Sequence, residues 1–114
     1  MQTELDLVIA LRQGNQEAYK KLHDQLYDSI YYFASGLIGS KFDANDIATE
    51  VFLRLWTLRC NFDTFQNLKA FLYLATRNAC LNYLDVQTRA AARNKKLLQQ
   101  LADREEEQQV SLGI

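Results

Sequence analysis

The sequence predicts an all-α protein, a compact bundle of about four helices followed by a helical C-terminal extension. Three observations predict it. The 114 residues include no proline and only four glycines. Leu, Ala, Gln, Lys, Arg and Glu dominate, and these are strong helix formers. Apolar residues recur at intervals of three and four, not two. The length suits one domain, and 48% hydrophobic residues can fill a core.

The first helix is expected over residues 3–13, with Leu5, Val8, Ile9 and Leu11 apolar. Gly14 breaks it, and Asn15 caps the next helix. From Glu17 to Leu37 the apolar positions Tyr19, Leu22, Leu26, Ile30, Phe33 and Leu37 follow helical spacing. Gly36 and Gly39 are expected to end that helix, leaving "GSKFDAN" as a loop. Asp43 then serves as N-cap, with Asp46 three residues on in place of the Glu of a capping box. The helix over 44–59 buries Ile47, Val51, Leu55 and Leu58, with Phe52 and Trp56 beside them. Its outward positions include Asp46, Glu50, Leu53 and Arg54.

"RCNFDTFQN" interrupts the periodicity and carries Phe62 and Phe65. Asn67 is expected to cap a long helix that runs to about Thr88. At about 100° per residue, Leu68, Leu72, Ala75, Ala79 and Val86 share its core arc, with Tyr83 at the edge. A second arc holds Phe71, Leu74, Asn78, Asn82 and Asp85; a third holds Lys69, Tyr73, Arg77, Cys80 and Leu84. Residues 1–88 thus form the expected domain, and 89–114 a polar, helix-prone linker or extension.

The net charge of −1 conceals three blocks. Residues 1–66 carry −3, residues 67–96 carry +5 and residues 97–114 carry −3. A basic block between acidic ones suits one surface for a polyanion and another for a basic partner; a solvated lysine-rich helix is the other reading. No apolar run approaches a membrane span, and "MQTELDLVIA" lacks the basic start of a signal peptide. Cys60 and Cys80 form no CxxC pair, so no disulfide framework or metal site is expected. These features suit a cytoplasmic protein without cofactor.

His23 is the only histidine and has no nucleophile motif beside it. Asp46 and Glu50 stand at i,i+4 but lack a Glu-x-x-His pattern, so no catalytic constellation is present and no enzyme is expected. Asn78 and Asn82 are awkward as core residues, because a buried amide needs several partners. Amides beside aromatics and cations suit an unpaired strand instead. Amides pair with base edges and rings stack on bases, while Lys69, Arg77, Arg89, Arg93, Lys95 and Lys96 hold phosphates.

Two segments carry a resemblance. "DANDIATEVFLRLW" at 43–56 and "NFDTFQNLKAFLYLATRNACLNYL" at 61–84 are similar, in order and separation, to region 2 of bacterial RNA polymerase sigma factors of the extracytoplasmic-function group. The stretch "GNQEAYKKLHDQLYDSIYYFASGLIG" resembles the family's opening helix, so the likeness covers roughly residues 5–90. It implies a transcription initiation factor that binds core RNA polymerase, recognises the promoter −10 element and melts it. Asp46, Glu50, Leu53 and Arg54 would meet the clamp of the largest polymerase subunit; a solvated Glu50–Arg54 pair is the plainer reading. The loop with Phe62, Thr64, Phe65 and Gln66 would capture a flipped non-template base. Lys69, Phe71, Tyr73, Arg77, Asn78 and Asn82 would face the −10 strand, and Arg89, Arg93, Lys95 and Lys96 the phosphates. Phe62 has a second reading as a core plug.

The resemblance also implies an anti-sigma factor as partner and no membrane insertion. Leu74 stands where many relatives carry a basic residue, and Asp85 adds a negative charge near the expected DNA surface. The family's helix-turn-helix for the −35 element is expected to be missing from these 114 residues. A helical protein-interaction module with a regulatory protein as sole partner is the competing reading.

Overall fold

In the computed structural model, which describes residues 2–112 and side chains to residue 106, four α-helices and one 3₁₀ turn follow one another. They are α1 (Glu4–Arg12), α2 (Gln16–Ile38), α3 (Lys41–Thr57), the 3₁₀ turn Arg59–Asn61, and α4 (Phe65–Leu112). The fold is all-α, as the spacing predicts. The chain divides into two units, Met1–Leu81 and Asn82–Ile114.

In the first unit, short polar side chains start each helix. Thr3 and Asp6 form a reciprocal capping box at α1, each side chain accepting from the other's backbone N–H at 3.1 and 3.0 Å. Gly14 takes a positive φ of 83°, and Asn15 Oδ1 accepts the Ala18 N–H at the head of α2, as expected. Gly36 does not end α2, which runs on through it to Ile38. Gly39 does so alone, with φ 73° and its N–H donated to Ser35 O.

Two caps differ from expectation. Ser40, not Asp43, caps α3, its hydroxyl accepting the Asp43 N–H at 3.3 Å. Asp43 and Asp46 therefore lie inside the helix. Thr64, not Asn67, opens α4. Its hydroxyl accepts the Asn67 N–H and its carbonyl the Leu68 N–H, both at 3.1 Å.

The main core joins Leu7, Val8 and Leu11 of α1, Ala18, Leu22, Leu26 and Ile30 of α2, Val51, Phe52 and Leu55 of α3, and Leu68, Leu72 and Ala75 of α4. Fully burying each large side chain is worth about 1.5–3 kcal/mol. A second, smaller cluster joins Ala34, Ala44 and Cys80.

Of the side chains expected to be buried on α3, Ile47 and Leu58 are half-buried and pack against this core. The apolar Leu5, Ile9 and Leu37 are exposed, and Phe33 is half-buried. Alanines 18, 34, 44 and 48 take the inner places, where a small side chain lets two helix backbones approach. Cys80, expected on an outward arc, is fully buried, and so is Thr76, whose hydroxyl donates to Leu72 O at 2.7 Å.

The second unit, from Asn82, is the remainder of α4. Val86 was expected in the core but is 50% exposed, and Leu97, Leu98 and Leu101 are also exposed. Within this unit Thr88 donates its hydroxyl to Leu84 O, and the Gln99 amide donates to Asp103. Among the described residues no helix is long and apolar enough to cross a membrane. The part of the expected extension beyond residue 112 lies outside the described residues.

Candidate nucleic-acid interface

The segment between α3 and α4 is short and tied down on both sides. Leu58 ends α3 by donating its N–H to Arg54 O. The Arg59 guanidinium then folds back over the Trp56 ring, 4.4 Å from its centroid, and donates to Trp56 O at 3.0 Å. Its Nε is buried beside Gly14 without a hydrogen-bond partner. Cys60 Sγ reaches Arg12 O at 3.7 Å, and the Arg12 guanidinium forms an ion pair with Asp63, 51 residues away in sequence. The end of α1 therefore anchors this loop. Nothing local in the sequence signals it, since the two charges belong to separate turns.

Phe62 is only 7% exposed and packs against Phe71, centroids 5.1 Å apart. Of its two sequence readings, the core plug is the one its side chain fits. The Thr64 hydroxyl is engaged as the cap of α4, Phe65 is half-buried against the core, and Gln66 is exposed. The loop thus offers mainly its backbone and Asn61, with Gln66 and part of Phe65 beside it on the first turn of α4, although the sequence reading places them in the loop.

Along α4, Lys69, Leu74, Arg77 and Asn78 are exposed. Phe71 and Tyr73 are half-buried, Tyr73 meeting Phe33 edge to face at 5.2 Å. Both rings therefore divide their surface between packing and solvent. Asn78 stands outward on the row Phe71, Leu74, Asn78, and the exposure expected of an amide is present.

On α3, Asp46, Glu50, Leu53 and Arg54 are all exposed, Leu53 by 61%. The Glu50–Arg54 ion pair does not form. The Arg54 guanidinium lies instead over the Phe71 ring, 5.6 Å from its centroid. Leu53 borders an open groove of about 350 Å³ shared with Gln16, Tyr19 and Trp56. Tyr19 and Trp56 meet edge to face at 5.3 Å, and the Tyr19 hydroxyl donates to Phe52 O at 2.8 Å. Burial raises the pKa of that hydroxyl. Sequence periodicity on α3 alone misses this groove, because half its wall comes from α2.

In the second unit, Asn82 is exposed, as are Arg89, Arg93, Lys95 and Lys96. Arg89 is paired with Asp85 at 3.1 Å, so the basic block presents less free charge than its residue count suggests. His23 stacks on Tyr27 at 4.8 Å and meets the edge of Phe52 at 4.8 Å, as a member of an aromatic cluster. Among the described residues no group of three His, Cys, Asp or Glu could hold a metal ion.

The chain is 28% identical over 72 residues to the ECF RNA polymerase sigma factor SigW of Bacillus subtilis (strain 168). That alignment covers 63% of this chain and 38% of the relative, so the chain spans well under half of the relative's length. No solved structure matches the chain. Residues 22–90, more than half of the chain, match the family described as Sigma-70 region 2. The chain belongs to the Sigma-70 region 2 family.

Proposed function

We propose that the chain is the promoter-opening domain of a transcription initiation factor. It binds core RNA polymerase through α3, recognises the −10 element and holds its melted non-template strand. One observation carries the reading. A single helical unit exposes an acidic and apolar face on α3 (Asp46, Glu50, Leu53) and, on α4, the amide of Asn78 on one arc and the cations Lys69 and Arg77 on another. The first suits a basic helix of the polymerase clamp, since acids steer a cationic partner and Leu53 adds apolar contact. The second suits a nucleic-acid strand, with cations for phosphates and an amide for a base edge.

Phe65, Gln66 and the loop backbone are the groups suited to take an extruded base. Extrusion costs a few kcal/mol, and stacking with edge hydrogen bonds offsets it. Thr64 contributes through its cap, by fixing where α4 begins. Phe71 and Tyr73 offer the remaining ring surface, and Phe62 supports Phe71 from behind. In the second unit Asn82, Arg89, Arg93, Lys95 and Lys96 are proposed separately as contacts to DNA. The role is non-catalytic.

The test is a pair of binding measurements. Charge reversal at Asp46 and Glu50 should abolish binding to core polymerase or its clamp fragment while leaving the melting temperature unchanged. Asn78→Ala should weaken binding to a −10 single strand but not to a scrambled one. Equal loss on both strands would remove Asn78 from base reading.

A second reading has an observation of its own. The groove between Gln16, Tyr19, Leu53 and Trp56 can seat one apolar side chain, which suits a regulatory protein such as an anti-sigma factor covering the α3 face. Capture of such a protein by a chain with no affinity for polymerase or DNA would favour this reading.

A further inference from the structure

Arg54 is exposed on α3, in the set that the family resemblance turns toward the polymerase. Arg54 leaves α3 near its C-terminal end and turns toward α4, where its guanidinium covers the Phe71 ring at 5.6 Å. Phe71 is half-buried and packs against the buried Phe62, centroids 5.1 Å apart, which restricts the ring. The Arg12–Asp63 and Arg89–Asp85 ion pairs do not involve Arg54. Glu50, one turn back on α3, is not its partner.

From these contacts we infer that Arg54 is a backbone-phosphate contact for the unpaired strand, pre-oriented by Phe71. The physical case has three parts. An exposed arginine without a carboxylate keeps its full charge and its donors for an incoming anion. A guanidinium drawn to a ring by cation–π attraction is biased toward that side of the helix, so less freedom is lost when it grips a phosphate. Phe71 also begins the row that continues through Leu74 to Asn78, so a strand lying along that row passes Arg54 at one end. Lys69 and Arg77, exposed on the same helix, supply further positive charge.

The assignment rests on the proposed strand-binding role, and it makes a distinct demand. A phosphate contact is blind to base identity. Arg54→Gln should therefore weaken binding to a fluorescein-labelled, random-sequence single strand about tenfold at low salt. It should also flatten the plot of log affinity against log salt by about 0.7, the share of one phosphate on a single strand. Arg54→Lys, which keeps the charge but not the planar fork, should retain the slope and recover only part of the affinity. Both variants should bind the polymerase clamp fragment as wild type does.

Three results would overturn the inference. Wild-type affinity and slope in Arg54→Gln would remove the phosphate contact. Loss of clamp binding with strand binding intact would return Arg54 to the polymerase face. Absence of salt-dependent strand binding by the unmodified chain would overturn the strand-binding role and this inference together, which separates the two failures.

Discussion

The Asp85 carboxylate sits 3.1 Å from the Arg89 guanidinium, one turn along α4. Both side chains are largely solvated, so the pair contributes less than about 0.5 kcal/mol to stability. Its larger effect is on charge. Asp85→Asn should release Arg89 and strengthen DNA binding at low salt, with log affinity falling more steeply as salt rises. Fluorescence anisotropy across a salt series measures both, and the melting temperature should stay nearly constant. The pairing also gives Asp85 a structural account that the sequence alone did not supply.

Phe62 and Phe71 make a second prediction. Truncating a buried phenylalanine costs about 3–5 kcal/mol, so Phe62→Ala should destabilise the first unit by roughly that amount. Because Phe62 supports the ring under Arg54, strand binding should fall as well. Phe62→Leu should restore most of the stability in urea unfolding.

Two glycines of α2 should respond in opposite directions. Gly36 lies in the last turn of α2, and an added Cβ would meet no neighbouring group within 4 Å beyond its own helix backbone, so Gly36→Ala should stabilise by about 0.5–1 kcal/mol. Gly39 has the same open surroundings but a φ of 73°. Gly39→Ala should cost about 1–2 kcal/mol from left-handed strain alone, and Gly39→Asn less. Chemical denaturation of the two alanine variants gives the signs directly.

The two cysteines should separate by reactivity. Cys60 is exposed, whereas Cys80 is buried beside Ala34 and its burial pushes the thiol pKa up. At about pH 8, near the ordinary thiol range, a thiol reagent should modify Cys60 rapidly and Cys80 only as fast as the protein opens. The raised pKa means that the fold favours the neutral thiol. That contribution is complete below the ordinary thiol range and is lost as pH rises through the raised value. Cys80→Ala should remove this share of the alkaline decline, read as melting temperature against pH.

Periodicity was enough to find the helices, because their apolar spacing is regular. Their fine placement was harder for two physical reasons. Both missed caps had the same form: in Ser40-x-x-Asp43 and Thr64-x-x-Asn67 either end can cap, and expectation fell on the inner member. The hydroxyl residue caps in each case, and the inner residue supplies the N–H that it accepts. The core was misread where alanines occupy it. Ala34 and Ala44 add little hydrophobicity to a pattern, yet their small size is what close packing uses.

The candidate site was legible to a similar degree. Asn78, Lys69 and Arg77 are exposed, on arcs away from the expected core arc, although Cys80 on the arc of Lys69 and Arg77 is buried. The contacts that unite separate elements were not legible, since Arg54 meets Phe71, Arg12 meets Asp63 and Tyr19 meets Trp56 across different helices and turns. A one-dimensional pattern records which face a residue takes, not which neighbour it meets there.

The buried row of α2, Ala18, Leu22, Leu26, Ile30 and Ala34, advances by four residues at every step. At 3.6 residues per turn each step leads by about 40°, so the row winds about 160° around the rod between its ends. Its first four members serve the large core and its last serves the small one. The helix thus works like a screw thread engaged by two nuts. Turning or sliding it to improve one core would disengage the other, which fixes both its rotation and its axial position with only five side chains.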